Sequence, residues 1–392
     1  MSSPKGLYPV LVAQFLSALA DNALLFAAIA ILKAAHAPDW HTPLLQEFFV
    51  LAYIVLAPFV GHFADAWPKG RVMLVSNGLK LAGAGLMLAG THPLLAYTLV
   101  GIGAAAYSPA KYGILSELVP PSKLVSANGM LEGSTIAAIL LGVLVGGYLA
   151  DQGPSLAVAF TVGTYLLAAL ANLLIPNQVG SSRHVPLRAP GALLREFWVH
   201  LRLLMRHPDG RFTLLGTSVF WGTGSTLRFL LVAWVPVALG LSGTETPANL
   251  SGAVAIGIAL GAAAAAKLVP IQKVNRALVA GIALGPLIIA FAYVTSLPAA
   301  ALFLVAIGLC GGFYVVPLNA LLQEKGHETV GAGSAIAVQN FFENLMMLLT
   351  IGAYTLMARA GLPPVQLAVA FGALVLVELG ALTYWRLKQV SR

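Results

Sequence analysis

The sequence predicts an all-α integral membrane protein of about 12 transmembrane helices in two six-helix bundles. Three observations predict it. Apolar stretches, most of ~20 residues or more, alternate with short polar links, and ~20 helical residues at ~1.5 Å each span a hydrocarbon layer ~30 Å thick. Only 9% of the 392 residues are charged, against ~25% in soluble domains. Lys and Arg collect in every second link, as the positive-inside rule requires of a multi-span chain.

Taken in order, the spans of the first half fall over 7–33, 42–64, 71–90, 93–117, 124–150 and 155–175. The first exceeds the length of a signal-peptide core and holds Asp21, so it is expected to be retained. The second runs into a link that reads Gly61, His62, Phe63, Ala64, Asp65, Ala66, Trp67, Pro68, Lys69, Gly70, Arg71. The third carries Lys80 at mid-span. The fourth is interrupted by Pro109 and carries Lys111 and Glu117, and the fifth carries Glu132. The second-half spans fall over 211–240, 247–269, 275–293, 298–323, 331–360 and 365–387. They hold Arg228 in the seventh and Glu343 in the eleventh.

Between the halves, 176–209 is the longest hydrophilic stretch. The expected organisation is an N-terminal bundle over 1–178, a cytoplasmic basic linker over 179–210 and a C-terminal bundle over 211–392. Within the linker, Leu193, Leu194, Phe197, Leu201 and Leu204 fall on one side of a helix and Arg195 and Arg202 on the other. That pattern predicts an amphipathic helix lying on the inner membrane surface. With both termini inside, the link cations from Lys5 and Lys69 through Arg183 and Arg188 to Lys388 and Arg392 face the cytoplasm, and only Lys33 and Arg359 face outward. The net charge of +8 is then met by anionic lipid headgroups and calls for no nucleic acid.

The halves repeat one another faintly. Tyr107 precedes Glu117 by ten residues with Pro109 between; Tyr314 precedes Glu324 by ten with Pro317 between. Asn128 and Glu132 in the fifth span answer Asn340 and Glu343 in the eleventh. Proline-interrupted spans at matching places point to a substrate path where the repeats meet.

A charge at the bilayer centre costs at least ~2.5–3.5 kcal/mol, so it persists only if it pairs or faces water. Asp21, with Gln14 and Ser17 on its face, Arg228, on a stripe with Trp221, Gly224 and Ser225, and Glu343, aligned with Gln339, are the deepest. They are the candidates for substrate binding, joined by Lys111, Gln14 and Trp221. Asp65, Arg71, Lys80, Glu117 and Glu132 are candidates for gating. For Lys80, and for Lys111 with Glu132, the competing role is an ion pair that fixes helix packing. No His, Cys or acidic cluster has metal-ligand spacing. The S-x-x-K match of Ser108 to Lys111 lies within a span and lacks its companion Lys-Thr-Gly element, so neither an enzyme nor a bound cofactor is expected.

The link from Gly61 to Arg71 resembles the signature loop of the major facilitator superfamily: Gly, three residues, Asp, a basic residue, then Gly and two basic residues. It departs in that Ala66 replaces the first basic residue and Pro68 and Gly70 shift the rest. The runs from Val12 to Ala18 and Asp21 to Phe26, from Ala106 to Leu115, from Ser134 to Gly142 and from Thr226 to Leu231 resemble the bacterial lysophospholipid transporter branch of that superfamily. The resemblance implies a carrier in the inner membrane of a Gram-negative bacterium. It would move lyso-phosphatidylethanolamine and related lysophospholipids from the outer to the inner leaflet, where a cytoplasmic-side acyltransferase and acyl-carrier-protein synthetase re-acylates them. On that basis Arg228 would take the phosphate and Asp21 the ammonium, with Glu343 sharing the ammonium or holding Arg228. A drug or small-cation/proton antiporter of the same superfamily, with Asp21 and Glu343 as proton carriers, is the alternative.

Overall fold

The computed structural model describes residues 6–37, 41–176, 189–241 and 245–390. Lys5, Arg183, Arg188 and Arg392, and the side chains of Lys33 and Arg359, lie outside the described residues. Among the described residues the chain is helical with no strand. Its helices are α1 (Leu7–Ala34), α2 (His41–Ala66), α3 (Lys69–Leu88), α4 (Pro93–Leu118), α5 (Pro121–Gln152), α6 (Pro154–Leu173), α7 (Pro190–Arg206), α8 (Pro208–Leu239), α9 (Glu245–Leu268), α10 (Leu278–Ala292), α11 (Leu297–Thr329), α12 (Ala332–Arg359) and α13 (Pro364–Val390). A 3-10 turn, Ile271–Ala277, leads into α10. Prolines open α4, α5, α6, α7, α8 and α13 in their first turn, where a missing N–H costs nothing.

Ten of these segments are long and apolar enough to cross a membrane. The other two expected spans, α3 and α4, are less apolar because they carry the chain's polar machinery: Lys69, Ser76, Asn77 and Lys80 on α3, Tyr107, Ser108 and Lys111 on α4, all buried. α7 is the predicted linker helix.

Two compact units make up the chain. The first comprises residues 1–120, 134–203 and 323–341, the second 121–133, 204–322 and 342–392. In the first, α3 packs on α4 and α6, α1 on α6, and α2 on α4. Their shared core is built from Leu24, Ala28, Leu45, Met87, Val100, Val158 and Tyr165. In the second, α13 packs on α8 and α10.

Lipid-facing helices gain little from burial, so close backbone approach through small residues does the joining. Gly257 and Gly261 of α9 face Gly308 and Gly312 of α11, and a Cβ on any of the four would collide with backbone of the opposing helix. Two G-x-x-x-G faces thus interlock.

The linker helix departs from expectation. Part of its apolar side packs on protein. Phe197 and Leu204 are buried in the protein, whereas Leu194, grouped with them in sequence, is 45% exposed. The ring of Phe197 stands 5.5 Å from that of Phe341 on α12. A protein groove satisfies an apolar stripe as well as lipid does, and periodicity cannot tell the two apart.

Candidate functional site

The deepest polar cluster of the first unit grows from α1. Ser17 and Asp21 are one turn apart on α1, and Asn77 and Lys80 one turn apart on α3, so each pair projects from one helix face. Lys80 Nζ lies 2.7 Å from Asp21 Oδ2 and 3.0 Å from Ser17 Oγ. Ser17 in turn donates to Asn77 Oδ1 at 2.7 Å. From α6, Tyr165 OH donates to the other carboxylate oxygen, Asp21 Oδ1, at 2.6 Å. The ammonium also sits 4.9 Å from the ring centre of Tyr107 on α4. Room for the lysine stem is made by Gly103, where a Cβ would meet Lys80 Cγ at 2.8 Å.

Asp21 and Lys80, assigned by sequence to different tasks, are therefore one buried ion pair. The Lys80 side chain is 2% exposed and that of Asp21 20%, so only the carboxylate keeps an open edge. Gln14, one turn before Ser17, points elsewhere and donates to Thr135 Oγ1 of α5 at 3.0 Å. Tyr165 was missed in the sequence; its one signal is a phenol in a span without charged residues.

The C-terminal end of α2 carries a second cluster. Gly331 precedes α12 and has no side chain to cap it, so the first N–H groups of that helix need an outside acceptor. Asp65 supplies it. Its Oδ1 accepts from Gly333 N at 2.8 Å, and its Oδ2 from Ser334 N at 2.8 Å and Ser334 Oγ at 2.9 Å. The carboxylate also favours the positive end of the helix dipole.

Glycines make the approach possible. A Cβ on Gly331 or Gly333 would strike the Asp65 carboxylate, and one on Gly61 would lie 2.8 Å from Ser334 Cα. Lys69, the first residue of α3, completes the group, 3.6 Å from Asp65 Oδ1 and 2.6 Å from Glu117 Oε1 on α4. Asp65 and Glu117 thus belong together, as two of the gating candidates. Lys80 lies apart from them, and Arg71 is exposed on α3. Lys69, counted in sequence as a loop cation, is 4% exposed. Its position four residues after Asp65 was the available signal.

In the second unit Arg228 is exposed on α8, together with Gly224, and Trp221 and Ser225 are half-buried on the same stripe. The opposite face buries Thr223, Thr226, Leu227, Leu230 and Leu231. α12 flanks this helix: Thr350 Oγ1 donates to Gly222 O at 3.3 Å and Tyr354 OH to Phe229 O at 3.4 Å. Nearer the start of α12, Glu343 and Asn344 of this unit are buried, as are Gln339 and Asn340 of the first unit. Glu132 is buried, and its Oε1 is 3.5 Å from Asn319 Nδ2 of α11. Lys111, in the first unit, is buried with its ammonium 4.0 Å from the ring centre of Tyr112.

The second unit thus offers an exposed guanidinium at Arg228, and the first a partly exposed carboxylate at Asp21.

Comparison with known proteins agrees with the architecture. A sequence profile of the Major Facilitator Superfamily matches residues 10–351. The lysophospholipid transporter LplT of Klebsiella pneumoniae is 53% identical over 387 residues, 97% of this chain and 96% of that protein. LplT of an Escherichia coli strain is 53% identical over 388 residues, again 97% and 96% of the two chains. Among solved structures, the E. coli fucose:proton symporter FucP superposes with a TM-score of 0.74 at 14% identity, covering 97% of this chain and 98% of that one. The human organic anion transporter MFSD10 does so at 0.74 and 16%, covering 97% and 100%.

Proposed function

We propose the function of this chain from one premise: it belongs to the major facilitator superfamily and, within it, to the family of lysophospholipid transporters. It moves lysophospholipids, lyso-phosphatidylethanolamine among them, from the outer to the inner leaflet of a bacterial inner membrane. Both termini are cytoplasmic, and the linker over 179–210 joins bundles over 1–178 and 211–392. The observation that carries this is 53% identity to a lysophospholipid transporter over 97% of the chain. Identity is spread along the whole length, not confined to a fold signature.

The side chains support the assignment chemically. A lysophospholipid keeps its single acyl chain in apolar surroundings while its headgroup needs polar ones. Arg228 is exposed, and its planar guanidinium matches phosphate oxygens in a bidentate way. Asp21 keeps an open edge that can accept the ethanolamine ammonium in competition with Lys80. Trp221 shares the Arg228 stripe, and Gln14, Glu343 and Lys111 serve as secondary polar and counter-charge groups. Asp65, Lys69 and Glu117 hold the inner end shut until the headgroup arrives, and Arg71 and Glu132 are further gating residues. No bond is broken. The lipid leaves with its mass unchanged and is re-acylated by a cytoplasmic-side acyltransferase.

The test is reconstitution in liposomes with labelled lyso-phosphatidylethanolamine in one leaflet. Transfer to the other leaflet without any ion gradient is expected. Transfer that stops when the proton gradient is collapsed, together with uptake of varied cations, would instead establish the antiporter.

A further inference from the structure

Helix α7 turns faces of different charge toward and away from the protein. Phe197, on the inward side, is buried. The only acid of the helix, Glu196, lies on that side too, its Oε2 3.9 Å from His62 Nδ1 and its Oε1 3.8 Å from His200 Nε2. At ~100° per residue the outward arc presents, in angular order, Leu194, Trp198, Arg202, Arg195, Arg206 and Val199. All six are exposed, and Leu194, Trp198 and Val199 are each 45% exposed. Arg195, Arg202 and Arg206 have no acidic partner among the described residues. The arc therefore has a basic centre and apolar edges, and the acid that would neutralise it is turned inward.

Position matters as well. The cleft between α7 and α2 is lined by Ala57, Pro58, Gly61 and His62. These residues lie about 6–14 Å along the helix from its inner end at Ala66. α7 therefore lies at the inner edge of the bilayer. A helix facing only cytosol has no use for an exposed Trp beside Leu and Val. At the headgroup level, by contrast, guanidinium groups meet phosphate, Trp sits at the interface and aliphatic side chains reach the acyl boundary.

We infer that the outward face of α7 is a docking surface for anionic phospholipid headgroups of the cytoplasmic leaflet, clamped by Arg195, Arg202 and Arg206.

The experiment follows hydrogen exchange of α7 amides in the full-length protein, in nanodiscs of phosphatidylcholine alone and of phosphatidylcholine with phosphatidylglycerol. Wild type and R195Q/R202Q/R206Q are compared, with R202Q alone should the triple variant fail to fold. Phosphatidylglycerol is expected to slow exchange in the wild type by about fivefold for each arginine engaged. High salt should reverse the effect, and the variants should lose it in proportion to the arginines removed. Equal exchange in both lipids, or equal slowing in wild type and variants, overturns the inference. So does shielding of α7 by soluble polyglutamate in phosphatidylcholine nanodiscs where phosphatidylglycerol gives none, which would make the occupant an acidic protein. What the protein transports does not enter the result.

Discussion

Lys80 holds a formal charge at 2% exposure, and three oxygen-bearing or aromatic neighbours hold it there. Removing one member of a buried pair strands the other, which costs about 3–5 kcal/mol, whereas removing both is often close to neutral. K80M is therefore expected to lower the unfolding temperature in detergent sharply. The double variant D21N/K80M should recover most of the loss. If the two single losses simply add, the pair is not coupled.

Arg228 calls for the opposite prediction. Its side chain is exposed, so R228K should leave the unfolding temperature within about 1 °C of wild type, as surface changes usually do. Transport of lyso-phosphatidylethanolamine should nevertheless fall about tenfold, because Lys keeps the charge and loses the bidentate fork. Wild-type flux in R228K would remove Arg228 from headgroup binding. Sequence exposed both residues as intramembrane charges. It could not separate the buried from the exposed one, because that difference lies in the neighbours.

At the scale of elements, the start of α12 depends on a residue from α2. Loss of an N-terminal cap typically costs about 0.5–2 kcal/mol, and here it also unties two helices. D65A is expected to speed hydrogen exchange over the first turn of α12 and to raise labelling of a cysteine placed at Ser334. Unchanged exchange there would show the cap to be dispensable.

The α9–α11 seam gives a sharper steric case. A Cβ at Gly308 collides with backbone of Val254, an atom that cannot rotate away. G308V should thus lower the unfolding temperature by several degrees, corresponding to the roughly 1–3 kcal/mol of overpacking, while the same change at Gly352, with open space around it, should not. The helices themselves were legible. Apolar length marked the spans, and Pro at a first turn marked several starts. The inward docking of α7 was not legible, since Leu193, Phe197 and Leu204 make the same stripe whether lipid or protein covers it.

For the whole molecule, the all-helical membrane-spanning class followed from the chain alone. Hydrophobic length and link charge are properties of ~20 consecutive residues, and the bilayer reads them locally. Partnership was decided only by tertiary packing. Lys80 reaches Asp21 across 59 residues, Tyr165 reaches it across 144, and Asp65 reaches Ser334 across 269. A hydrogen bond requires atoms within ~3 Å, and no periodicity in a span specifies which distant helix will come that close. Small residues such as Gly61 and Gly103 permit the approach, but their meaning depends on the helix that arrives.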